Sequence, residues 1–335
     1  MTRPLGLLDQ DTRQRKLASL GDPLVVLNRI VPWNMFRERL ESAVGKKPDA
    51  KRGGRPRYDV VLMFKILVLR ELYALSDEQV EFQVADRLSF QHFLGIGIEH
   101  AVPDYTAVWR FRERLKGETM TDLFEILGAY IDVAGFEAKK GQILDASLVA
   151  KPRTRKPAQV KEGEPALTPQ QAAHRDPDAN WTKKHGRSYF GYKNHVNADA
   201  AHGFIRRYAV TPASVHDSQR TQALLDPAQP GPLYGDSAYR SEATAERCRQ
   251  MGLKDRTQYK AQCNRPLTNQ QKTWNHLRAK VRARVEHVFA RIDLFRRHRP
   301  LFCTGLARAE VCIGLINLTH NLRRLMTMHR LAAEC

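Results

Sequence analysis

The sequence predicts an all-helical N-terminal region followed by an α/β domain. Three observations carry that reading. Residues 58 to about 136 repeat apolar side chains at helical steps between recognisable caps. From Gly141 the pattern changes to short apolar runs alternating with helical stretches, as in an α/β fold. Two long stretches of helical spacing then close the chain.

Among the 335 residues, 55 Lys plus Arg face 36 Asp plus Glu, a formal charge of +19. Such an excess favours a polyanionic partner, above all nucleic acid; the alternative is a merely basic soluble protein. Cys248, Cys263, Cys303, Cys312 and Cys335 include no C-x-x-C pair, which argues against a disulfide framework and a structural zinc site. The longest apolar run, Val60 to Leu69, contains Lys65 and is far too short to span a bilayer. With no signal-peptide pattern, a cytoplasmic protein is expected.

Residues 1–57 read as a polar arm, then a short helix around Ile30–Trp33 and Phe36–Leu40, then a basic segment. That segment, Lys46 to Arg57, is either a solvated linker or an arm whose Arg55 and Arg57 reach phosphates. In 58–136, Asp59 caps a helix through Val61, Phe64, Leu67, Val68 and Leu72, apolar nearly all round and so buried. Ser76 caps a second helix, with Gln79 at capping-box spacing. Phe90, Phe93 and Leu94 continue the pattern to Gly95. Asp104 opens a third helix carrying Val108, Trp109, Phe111 and Leu115, with Arg110 and Arg112 as candidate DNA contacts. A fourth carries Leu123, Leu127 and Ile131 and ends at Gly135.

In 137–335, strands are expected at 141–150, Tyr189–Val196, Phe204–Thr211, Pro232–Asp236 and Leu253–Tyr259, with helices at 217–226 and 241–251. The insertion 151–187 holds nine Lys/Arg against four acids and five prolines. It is expected to pack loosely without DNA and to set Lys151, Arg153, Arg155, Lys183 and Lys184 on phosphates. Lys193, on the next strand, joins them. Residues 270–298 place Trp274, Leu277, Val281, Val285, Val288, Ile292 and Phe295 at steps of three and four, with Lys280, Arg282 and Arg284 between them. A last helix, 306–330, carries Val311, Leu315, Leu318, Leu322 and Leu325.

Three acids stand out. Asp145 sits in the middle of an apolar strand, where an ionised carboxylate is costly unless paired or metal-bound. Asp236 ends another strand, where ligands gather in open α/β sheets; the alternative is a turn aspartate. Glu286 is an acid inside a basic helix; the alternative is an i,i+4 pair with Arg282, in the weaker orientation. Two strand aspartates and a helix carboxylate can hold two Mg²⁺ ions. Ions about 3.5–4 Å apart cut or transfer phosphodiesters. At about 100° per residue, Glu286 lies about 140° from the centre of the helix's apolar stripe. Arg282, Phe289 and Asp293 are therefore expected to line the cleft beside it.

These acids lie in Ile143-Leu144-Asp145-Ala146-Ser147, Gly235-Asp236-Ser237-Ala238-Tyr239 and Arg282-x-x-x-Glu286-His287. Between them stand Phe190-Gly191-Tyr192-Lys193-x-His195 and Thr211-Pro212-Ala213-x-x-His216-Asp217. Upstream are Gly54-Arg55-Pro56, Leu75-Ser76-Asp77 and Pro103-Asp104-x-Thr106-x-x-x-Arg110-Phe111-Arg112. In order and spacing, from about 30 to 325, these motifs resemble the DDE transposases of bacterial insertion sequences, specifically the insertion sequence five family.

The resemblance implies an RNase H-like catalytic fold in 137–335, behind a helical DNA-binding or dimerisation domain in 58–136. It implies Mg²⁺-dependent cleavage and transfer at inverted repeats, with Mn²⁺ able to substitute. Its partners would be transposon-end and target DNA, met by a homodimer or larger assembly near the nucleoid. Asp145 would bridge two metals, Asp236 hold one and Glu286 the other. Ala279, Asp293 and Ala238 depart from the family's usual Tyr, Lys and Gly; the first two bear on DNA-end contacts. His195, His216, Asp217 and Tyr239 are candidates for the surroundings of the metal site. His216 and Asp217 either contact it or cap the next helix, with Asp217 the favoured cap. The rival readings are a nuclease that cuts without joining and a repressor without catalysis.

Overall fold

Caps set the N-terminal helices in a computed structural model that describes residues 9–45, 57–97, 99–152, 168, 175–184, 186–262 and 264–333. The helices are α1 (Asp9–Ser19), α2 (Pro23–Ile30), a 3₁₀ turn (Trp33–Phe36), α3 (Arg37–Val44), α4 (Val60–Leu72), α5 (Asp77–Asp86), α6 (Leu88–Leu94), α7 (Tyr105–Glu113) and α8 (Glu118–Val133). Asp59 accepts from the N–H groups of Val61 and Leu62 at the start of α4. Ser76 and Gln79 close a capping box on α5. Asp104 accepts from Ala107 N–H at the start of α7. Trp33, Phe36, Phe64 and Phe93 meet edge-on or tilted in the core around α4. α1 and α2 go beyond the expected elements.

Arg112 was expected on DNA and is instead buried. It forks onto both oxygens of Asp77, at 2.6 and 3.0 Å, beside Arg70. Burial alone would raise the Asp77 carboxyl; hydrogen bonding to Arg112 and the nearby charge of Arg70 outweigh it and hold it below its usual range. A fork so engaged is not free for a phosphate.

The second group of elements comprises β1 (Gln142–Ala150), β2 (Asn180–Lys184), β3 (Arg187–Asp199), β4 (Ile205–Pro212), a 3₁₀ turn (Asp217–Arg220), α9 (Thr221–Leu224), β5 (Pro232–Gly235), α10 (Glu242–Gln250), β6 (Lys254–Thr257), α11 (Asn269–Arg296) and α12 (Leu306–Ala333). The chain divides into two compact units, 1–126 with 322–335 and 127–321, the divisions falling inside α8 and α12.

β3 pairs antiparallel with β1 on one side, and with β2 and then β4 on the other. β1 pairs parallel with β5, and β5 with β6. The order β4–β3–β1–β5–β6, three antiparallel strands and then two parallel ones, is a mixed RNase H-like sheet. Each expected strand is present. β2 was not expected: it is an exposed basic edge strand inside the insertion. Residues 153–167 and 169–174, including Arg153 and Arg155, lie outside the described residues, as does Arg55.

The pleat separates two sheet faces. Ile143, Asp145, Ser147 and Val149 share one with their β3 partners Ala198, Val196, Asn194 and Tyr192. α12 covers this face: Asn194 and Asn317 exchange amide hydrogen bonds, and Tyr192 packs with Ala309, Cys312 and Ile313. The other face carries Leu144, packed with Leu224, Leu225, Leu233, Tyr239, Cys248 and Leu253. α11 opens with a Thr268–Gln271 capping box. Its expected stripe is buried only in the second half, at Val285, Val288, Ile292 and Phe295; Trp274 and Leu277 are exposed. No helix among the described residues is long and apolar enough to cross a membrane.

Candidate active site beside β1 and β5

Register brings the two aspartates together. Ile143 lies opposite Tyr234 in the parallel β1–β5 pair, so the same register carried two residues on sets Asp145 level with Asp236. Asp145 is largely buried. Desolvation raises its carboxyl above the ordinary range and the charge of Asp236 adds to the rise. The Ala146 N–H, donating to Oδ1 at 2.8 Å, and the charges of Arg282 and Lys184 pull the other way without cancelling it. Asp236 follows the last residue of β5, and its Oδ1 accepts from Ala238 N–H at 2.8 Å. It is thus a turn aspartate as well as a neighbour of Asp145.

Glu286 is linked to Asp145 through one guanidinium. Arg282 Nη1 donates to Asp145 Oδ2 at 3.0 Å and Nη2 donates to Glu286 Oε1 at 2.8 Å. The i,i+4 pair is therefore present, and it is Arg282 that approaches Asp145. Arg282 Nε is buried without a hydrogen-bond partner. Among the described residues no three His, Cys, Asp or Glu side chains converge on one point; Arg282 stands between the strand acid and the helix acid. The donor chemistry still fits a hard divalent cation: three carboxylates, one of them buried with its charge incompletely offset.

The surrounding candidates separate by face. His195 lies opposite Ala146 in the β1–β3 register, on the face away from Asp145. Its Nε2 meets Thr211 Oγ1 at 2.8 Å, while Nδ1 has no hydrogen bond and lies 3.8 Å from Asp217. His216, not Asp217, caps the following turn, its Nδ1 accepting from Ser218 N–H; Asp217 pairs with Lys193 at 2.9 Å. The Tyr239 hydroxyl is buried without a partner, and its ionisation is pushed up by burial and by the charges of Asp217, Asp145 and Asp236.

Burial holds the His195 imidazole down at about 4, against the opposing charge of Asp217. Since the folded value is depressed, its contribution to stability is full above the ordinary histidine range and is lost as pH falls toward 4. Between about pH 6.5 and 4, up to about 3 kcal/mol is at stake. Urea titrations across this window are expected to show a smaller acid-induced loss in His195→Gln than in the native chain. Equal losses would remove His195 as a contributor.

The expected phosphate contacts are unevenly placed. Arg57 donates to the Gly45 carbonyl at 2.9 Å. Arg110, Lys183, Lys184 and Lys280 are exposed. Arg284 is exposed but donates to the Ala200 carbonyl. Lys193 donates to Asp217 and the Val215 carbonyl. Lys151 is a correction: it is buried against Asp176 and the Cys303 carbonyl, an internal ion pair. Two arginines that sequence reasoning did not single out, Arg240 and Arg278, both donate to the Thr257 carbonyl at the end of β6. Arg278 was discoverable, since Arg278, Arg282 and Glu286 recur every four residues along one helix side.

Two protein families match stretches of this chain, and several solved structures are similar to it. A family described as "Transposase DDE domain" matches residues 137–322, and one described as "Transposase domain (DUF772)" matches 12–114. Among solved structures, a piggyBac transposase synaptic complex with hairpin DNA is similar at 11% identity, with 96% of this chain and 77% of that chain covered and a TM-score of 0.45. A Mos1 strand transfer complex is similar at 14% identity, covering 96% and 86%, with a TM-score of 0.20. A Mos1 mariner paired-end complex with Mn is similar at 14% identity, covering 93% and 90%, with a TM-score of 0.20.

Proposed function

The chain belongs to the transposase DDE domain family and is a DNA transposase, and from that premise we propose that Asp145, Asp236 and Glu286 are its catalytic acids. The observation that carries this is the single guanidinium of Arg282 joining Asp145 to Glu286, with Asp236 level with Asp145. The family acts with divalent metal, and the ion in this reading is Mg²⁺, held by the three carboxylates. Bound there, a pair of such ions activates a nucleophile and offsets charge on a phosphodiester.

The chain's own groups prepare the site. The N–H groups of Ala146 and Ala238 orient the two aspartates. Burial of Asp145 lowers the local dielectric, which strengthens every charge interaction around it. Arg282 supplies counter-charge to two acids at once. The same planar fork has the geometry that pairs with a phosphate. The substrate in this reading is the inverted-repeat end of an insertion sequence, of the insertion sequence five group. Its freed 3′-hydroxyl is then joined to target DNA by a dimer or larger assembly. Residues 58–136 serve as the DNA-binding or dimerisation domain and 137–335 as the catalytic domain.

Incubating the protein with Mg²⁺, the element's own end, a scrambled end and supercoiled target DNA tests this. Cleavage of the true end followed by joined product is expected. Cleavage without joining would indicate a nuclease, and binding without cleavage a repressor.

A further inference from the structure

β6 ends at Thr257, whose β5 partner is Gly235, the residue before Asp236. The Thr257 carbonyl accepts from two guanidinium groups, Arg240 Nη1 at 2.9 Å and Arg278 Nη1 at 2.7 Å. Both guanidiniums also lie over the Tyr259 ring, 4.0 and 4.5 Å from its centroid. The ring is itself fixed to α11. The Tyr259 N–H donates to Asn275 Oδ1 at 2.8 Å, its carbonyl accepts from Asn275 Nδ2 at 3.0 Å, and Trp274 stacks at 5.9 Å. Two cations on one carbonyl repel each other. The carboxylate beside them is Asp255, 4.0 Å from Arg240 and already accepting from the N–H and hydroxyl of Thr257. Arg278 has no carboxylate partner among the described residues.

Each guanidinium carries five N–H donors in a rigid plane. Such a pair, preorganised and short of negative charge, suits an anion with several acceptor oxygens. Beside it opens a cavity of about 820 Å³, lined by Arg240, Lys260 and Arg265 against Glu242 and Asp255, with Tyr259 among others. Along α11, Arg278 is one step of four residues from Arg282, about 6 Å along the axis. Arg282 touches the catalytic aspartate, so Arg278 stands one turn away from the reacting centre.

We propose that Arg240 and Arg278, held on Tyr259 and the Thr257 carbonyl, clamp one backbone phosphate of the DNA strand beside the scissile one. This rests on the transposase reading and adds a contact that the catalytic acids do not make. The test measures binding of end DNA over a range of salt without Mg²⁺, for the native chain and for R240Q/R278Q. The clamp predicts that the double variant's log–log salt slope is shallower by about 1. A series of ends each carrying one methylphosphonate should show one position that weakens the native chain several-fold and leaves the variant unchanged. R278Q alone carries the same test if the double variant does not fold. Equal slopes and identical methylphosphonate profiles would overturn the clamp while leaving the acids' role intact. Absence of end binding by the native chain would overturn both.

Discussion

Asp145→Ala, Asp236→Ala and Glu286→Ala each lower end cleavage by on the order of 10³-fold or more, with DNA binding retained. The expectation follows from what the side chains touch. Asp145 and Glu286 share one guanidinium, and Asp236, just past the end of the neighbouring strand, continues the register that faces Asp145. None of the three is placed to hold a phosphate directly, since like charges repel. Removing Asp145 or Glu286 leaves Arg282 with its other acid, and removing Asp236 leaves it with both, so the local fold should persist. Single-turnover cleavage of labelled ends, beside a binding titration, separates the two effects. Full activity in any one variant would remove that residue from the site.

Lys151→Ala is expected to cost about 3–5 kcal/mol of stability, because it removes one partner of a buried ion pair. The Asp176 carboxylate would remain buried. It accepts from the Tyr192 hydroxyl on both oxygens at 2.8 Å and from the N–H groups of Asp178 and Ala179. Burial alone would raise this carboxyl; Lys151 and Tyr192 outweigh it and hold it below its usual range. The depressed value means that the pair stabilises above the ordinary aspartate range and is lost as pH falls through the folded one. A calorimetric midpoint lower by on the order of 10 °C is expected at neutral pH. The salt slope of DNA binding should not change. An unshifted midpoint with a shallower slope would mean that Lys151 holds DNA after all.

Local signals made much of the fold legible. Asp59, Ser76 and Asp104 cap helices through contacts two or three residues away, so the local sequence alone revealed them. Asp145 was legible because an acid inside an apolar strand conflicts with its surroundings. Long-range pairing was not legible. Lys151, Arg112 and Lys193 find Asp176, Asp77 and Asp217 at separations of 25, 35 and 24 residues, and a basic residue reads alike whether solvated or paired within. β2 escaped because an exposed edge strand has no apolar alternation to read. The double role of Arg282 escaped because a helical pattern shows Glu286 but not the strand across from it. Arg240 escaped because its partners, Thr257 and Tyr259, lie beyond α10.

Iron-directed hydroxyl-radical cleavage tests the central claim, one metal site built from three acids, most directly. With Fe²⁺ in place of Mg²⁺, the backbone should be cut around Asp145, around Asp236 and around Glu286. All three sets of cuts should fade together when any one of the acids is replaced by alanine. Cuts confined to other segments, or a pattern unchanged in the three variants, would contradict the account.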